Sequence, residues 1–145
     1  MKVNELRVGS WVYDDEGVCS KIVGVKPFDD SVGCNELEDG SVLVDWYPQG
    51  QSPSREYFMD VSDLKPISLS EEILLKCGFV RRGFSINGYV FAKSLAYHVT
   101  KMLDYYAFRI NTLSCNNVFI REVRYLHELQ NLYFAITGEE LEVKL

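Results

Sequence analysis

Few residues in this chain could do covalent or metal chemistry. Two histidines, His98 and His127, and four cysteines, Cys19, Cys34, Cys77 and Cys115, are the whole stock of imidazoles and thiols. The cysteines lie 15, 43 and 38 residues apart without a CxxC pair, and no cysteine or carboxylate stands at ligand spacing to either histidine. A zinc site needs such clustering. No GxSxG nucleophile turn occurs, and neither GxGxxG nor GxxxxGK(S/T) offers a phosphate-cradling loop. Cys77 falls just before Gly78 at the predicted end of a helix, where the dipole disfavours a thiolate; it reads as a small packing residue. The acidic runs Asp14-Asp15-Glu16, Asp29-Asp30 and Glu139-Glu140 fall in turns or at ends, where carboxylates are solvated. The expectation is no catalytic residue, no metal and no cofactor.

Binding chemistry is better represented. Trp11, Trp46 and Tyr47 could line an aromatic groove for a peptide. Near the end, VRYLHELQNLYFAIT (Val123 to Thr137, stopped by Gly138) reads as a helix whose apolar side chains cover more than half its circumference. Such a helix is expected to be almost enclosed. Gln130 falls inside the apolar sector, about 40° from Leu126. An unpaired buried amide costs about 1–3 kcal/mol, so Gln130 must be hydrogen-bonded. It either ties the helix to a strand or loop backbone or, with His127 and Asn131, lines a ligand groove. A third set, Arg81 and Arg82 beside Phe79 and Phe84, extended by Arg109 and Arg124, has the cation-plus-aromatic character of a single-stranded nucleic-acid site.

The elements that must position these groups divide into two halves. Residues 1–66 read as short strands: Leu6 to Tyr13 kinked at Gly9-Ser10, Val18 to Val25 after the turn Asp14 to Gly17, Ser41 to Tyr47, and Arg55 to Val61. Four or five short strands in that length, opening on a glycine-kinked strand, suit a small SH3-like antiparallel β-barrel. Residues 67–145 read as an α+β part. Ser68-Leu69-Ser70-Glu71 offers a capping box before a helix Glu71 to Cys77 closed by Gly78, and Asn87-Gly88 turns a hairpin between Phe79 to Ile86 and Tyr89 to Ala92. Residues 93–103 fit helix or strand, Tyr105 to Ile110 and Val118 to Ile120 read as strands, the helix 123–137 follows, and Leu141 to Leu145 alternates as a closing strand. The fold class expected is α+β, with the C-terminal helix packed across the second part and against the barrel in one compact body.

With 47% hydrophobic and 13% aromatic residues in 145, the chain can bury a core. Its net charge of −6 is uneven: residues 1–66 hold 13 acidic against 6 basic residues, the remainder 8 against 9. The acidic half repels phosphate backbones. No apolar run approaches the roughly 20 residues of a membrane span. Met1-Lys2-Val3-Asn4 runs straight into a strand pattern and reads as no secretory leader, so a cytoplasmic protein with reduced thiols is expected.

Three blocks resemble a known family: NELRVGSWV from Asn4, PISLSEEILLKCGF from Pro66, and LHELQNLYFAITGEEL from Leu126. The family consists of uncharacterised proteins of gut Bacteroidales and their phages. The resemblance implies a phage or mobile-element setting and brings no activity with it. Residues 93–117 depart from the family pattern. The expected function is a non-enzymatic protein-binding accessory or adaptor module engaging a host or phage protein, with a nucleic-acid-associated factor as the alternative. The sequence is silent on oligomeric state.

Overall fold

The computed structural model describes residues 5–26, 41–46, 55–85, 88–94, 96–112 and 117–144. They form two five-stranded sheets, antiparallel at every pairing, and two helices. The class is mixed α+β.

The first sheet contains β1 (Trp11–Tyr13), β2 (Cys19–Lys26), β3 (Ser41–Trp46), β4 (Arg55–Asp60) and β5 (Lys65–Pro66), in the order β4-β3-β2-β1-β5. Asp14 makes the first hairpin. Its Oδ1 accepts from the Val18 amide at 2.7 Å, and Gly17 closes the turn at φ +82°, a conformation that costs glycine nothing. Strict alternation would have put Ile22 and Val25 on opposite faces. A register shift between Ile22 and Gly24 inserts one residue, so that Ile22 lies in the core cluster with Val12, Val42, Val44 and Met59 and the partly buried Val25 packs against it. A 3-10 turn, Val61–Asp63, starts with Asp60 accepting from the Ser62 amide and leads into β5, which pairs back on β1. Among the described residues no pairing joins β4 to β5, so the sheet is not closed by its hydrogen bonds.

The second sheet contains β6 (Val80–Ser85), β7 (Gly88–Ala92), β8 (Tyr97–Lys101), β9 (Tyr106–Ile110) and β10 (Val118–Val123), in the order β10-β9-β8-β7-β6. The ambiguous stretch 93–103 resolves to strand β8: His98, Val99 and Thr100 are all buried, which a one-sided helix could not achieve. Helix α1 (Glu71–Lys76) starts on Ser70, whose hydroxyl accepts from the Ile73 amide at 3.2 Å. It stops at Gly78, φ +78°.

Helix α2 (Leu126–Thr137) is shorter than expected. Val123 belongs to β10, Tyr125 is bridged to Ser68, and the Leu69 amide donates to Arg124 O, so backbone that would have extended the helix is already paired. Residues 141–144 form no strand, which corrects the closing strand expected there; Leu141 is nonetheless buried.

Contacts divide the chain into two units, Met1–Ile67 with Leu126–Glu140, and Ser68–Tyr125 with Leu141–Leu145. Helix α2 thus groups with the N-terminal sheet, not with the second part as the reading of 67–145 expected.

Candidate functional site

The helix candidates come together, and their geometry is that of a clamp on the segment leading into β1. Gln130 is 1% exposed. Its Nε2 donates to Gly9 O and its Oε1 accepts from the Trp11 amide, both at 3.0 Å. One side-chain amide therefore does for β1 what a neighbouring strand would do, which is the backbone-tie reading of this residue. Asn131 Nδ2 donates to Glu5 O at 2.7 Å. Arg7 donates to Gln130 O at 3.3 Å and to Glu140 Oε2 at 2.7 Å, with its guanidinium over the Phe134 ring. The Arg7 hydrogen bond holds the Glu140 carboxyl below its usual pKa. His127 is buried, and desolvation lowers its pKa, with Glu128 and Glu5 opposing. Gln130 and Asn131 thus both engage the backbone of the segment leading into β1.

Enclosure of α2 is one-sided. Leu126, Leu129 and Tyr133 are buried, whereas Phe134 and Ile136 are 41% and 36% exposed.

The aromatic candidates separate. Trp11 is half-buried on β1 in the cross-strand row Trp11–Lys21–Asp45–Glu56. Trp46 stands one row away, between Ser20 and Arg55, and nothing is described of its side chain. Tyr47 lies outside the described residues. The row of Trp11 holds a group that sequence reading passed over. Asp45 is 8% exposed, and its Oδ1 meets no hydrogen-bond partner among the described residues. On the same strand, Leu43 pairs with Phe58 of β4, which is 55% exposed.

The arginines do not form one patch. Arg81 and Arg82 lie on edge strand β6, and Arg109 on β9, three strand spacings or about 14 Å away. Arg124 follows β10 at the far edge. Arg81 is 3.6 Å from Glu71 and stacks over Tyr89. Arg82 is exposed. Arg109 donates to Asn117 O at 3.1 Å and lies 5.7 Å from the ring of Phe119. Asn117, φ +67°, is held by His98 Nε2 on its Oδ1 at 2.7 Å and by Asn111 Oδ1 on its amide at 2.8 Å. This ties the start of β8 and the end of β9 to the start of β10.

A cavity of about 480 Å³ in the second unit is lined by Glu72, Lys76, Cys77, Lys93, Glu142 and Lys144 among others. Two of its lysines are engaged: Lys76 pairs with Glu72 at 3.0 Å, and Lys93 donates to Cys77 O at 2.7 Å. Burial pushes the Cys77 thiol up to about 12, so it is no nucleophile at neutral pH. Among the described residues no group of three or more His, Cys, Asp or Glu side chains is placed to hold a metal ion, and no helix is long and apolar enough to cross a membrane. No family model matches the chain, and no curated protein or solved structure matches it at a significant level.

Proposed function

We propose that the protein is a non-enzymatic protein-binding module, an accessory or adaptor of a phage or mobile element, that docks a partner on the β4 edge of its N-terminal sheet. A four-strand meander, a 3-10 turn and a short fifth strand returning to β1 follow the connectivity of a small SH3-like barrel, and we read the unit as one. The phage setting rests on the resemblance of the three sequence blocks.

The observation that carries the docking site is a contrast among sheet edges. An edge strand presents unpaired N–H and C=O groups, and proteins blunt it with proline, bulges and charge. β5 is two residues long and ends in Pro66. β6 is bulged between Arg81 and Gly83. β10 is bulged between Phe119 and Arg121 and carries Arg121 and Glu122. β4 pairs with β3 over six residues without a shift, and although Arg55, Glu56 and Asp60 charge its two ends, Tyr57, Phe58 and Met59 between them are uncharged. An extended segment adding to such an edge gains a backbone ladder, with alternate side chains supplying selectivity.

The test is affinity capture from host and phage-infected lysates with the wild-type chain and a Phe58→Ser variant. Phe58 is more than half exposed, and urea denaturation of the variant checks that its stability is kept. A partner retained by the wild type and depleted at least about tenfold by the variant, roughly 1.4 kcal/mol, supports the reading. Equal capture by both contradicts it.

The nucleic-acid alternative keeps one observation in its favour, the Arg109 guanidinium over the half-exposed Phe119 in the more basic unit. Its signature is binding of a single-stranded oligonucleotide that falls steeply with salt.

A further inference from the structure

We infer that the cavity at the C-terminal end of α1 binds a small zwitterion, an α-amino acid with an apolar side chain, whose ammonium is taken by Glu142 and whose carboxylate by Lys144. The cavity, about 480 Å³, is lined entirely by residues of the second contact unit and is of a size that holds small ligands. It shares no residue with the β4 edge, so neither reading depends on the other.

The way α1 stops builds the wall. The carbonyls of Ile73, Leu74 and Leu75 accept from the amides of Cys77, Phe79 and Gly78, and the Lys76 carbonyl accepts from the Lys144 amide at 3.1 Å. Cys77 O takes the Lys93 ammonium, which lies so close to Gly78 that a Cβ there would come within 3.3 Å of Nζ. Each carbonyl from Ile73 to Cys77 thus has its donor, and recognition of a polar ligand falls to side chains.

Five charged side chains line the cavity. Lys76 and Glu72 pair with one another at 3.0 Å, and Lys93 is bonded to Cys77 O. Glu142 and Lys144 are the other two. Among the described residues neither side chain has an ion pair or a hydrogen bond, not even with the other, although both line the same space. The segment that carries them is held by the buried Leu141 and by the Lys144 amide on Lys76 O. An anion alone would face Glu142 as a like charge, and a cation alone would face Lys144; a ligand with both charges meets an opposite partner for each. Two carboxylates against three ammoniums in the lining draw the ligand's carboxylate the more strongly. An α-amino acid carries both groups on one carbon and leaves its side chain for the half-exposed Leu75 and for Cys77, whose thiol stays neutral through burial.

The test follows amide resonances of the isotope-labelled full-length protein by NMR during titration with leucine, N-acetylleucine, which lacks the ammonium, and leucinamide, which lacks the carboxylate, each to about 20 mM. Leucine is expected to shift the amides of Gly78, Lys93 and Lys144 saturably, and each blocked compound to bind at least about tenfold more weakly. Glu142→Gln and Lys144→Gln change exposed side chains and keep the Lys144 amide on Lys76 O. Each is expected to weaken leucine at least about tenfold while the other resonances of the free protein stay in place. No saturable shift at these amides with leucine overturns the site. Equal binding of leucine and either blocked compound overturns the zwitterion class. Leucine affinity unchanged in either variant overturns the role given to that residue.

Discussion

Gln130 shows how one side chain can replace a strand. Its amide meets Gly9 O and the Trp11 amide, so Gln130→Leu removes both hydrogen bonds from part-buried backbone while keeping similar volume. The expected loss is about 2–4 kcal/mol in urea denaturation, one to two unsatisfied groups' worth; a loss under about 0.5 kcal/mol would mean that water or repacking takes over the pairing. The amide's burial was legible from its place in the apolar sector, but its partners were not, because nothing in local sequence says which backbone lies opposite a helix. His127 makes a second residue-scale prediction. Burial lowers its folded pKa below the ordinary 6.5, so the unfolded chain binds the extra proton first. Its contribution is then complete above about pH 6.5 and is lost as pH falls from there toward the folded pKa. Urea denaturation at pH 7.5 and pH 5.5 should show a loss that shrinks in His127→Gln. An unchanged pH dependence in the variant would assign the loss to other groups.

At the scale of elements, local signals were strongest where backbone chemistry is local. Gly78 closes α1, and Gly17 and Asp14 make the first hairpin; these three were readable as a stop and a turn, whereas the capping-box pattern opened at Ser68 and the cap is Ser70. Gly78 sits at φ +78°, and a Cβ there would come within 3.3 Å of Lys93 Nζ. Gly78→Ala should therefore cost about 1–2 kcal/mol, measured by thermal or urea denaturation; Lys93, drawn off the Cys77 carbonyl, would add to it. Signals failed where the deciding contact is distant. The bulge at Ile22 and Gly24 breaks an alternation that looked sound, because the core needs both Ile22 and Val25. Strand β8 resisted assignment because it is buried on both faces, at His98 and Thr100 as well as Val99, and so has no amphipathic period to read. The candidate arginines shared a sequence half, but strand order sends β6 and β10 to opposite edges.

The whole molecule is organised by a chain that returns to where it began. Leu126–Glu140 completes the unit started by Met1–Ile67, although 58 residues of the other unit intervene. A truncation after Tyr125 should therefore unfold the N-terminal sheet, whose entry strand loses Gln130, Asn131 and the Arg7–Glu140 pair. Both tryptophans, Trp11 and Trp46, lie in that unit, so their fluorescence and the exchange protection of β1 to β3 report on it alone. Native-like protection in the truncated chain would show that the sheet stands without α2. Sequence division at residue 66 could not anticipate this arrangement: it followed changes of period along the chain, whereas the units follow contacts.

The most direct test of the docking edge is amide hydrogen exchange on the full-length protein with and without its captured partner. The account predicts slowed exchange in fragments covering Arg55–Asp60, with Val118–Val123 and Val80–Ser85 unchanged. Protection appearing on β10 or β6 while β4 exchanges as before would contradict it.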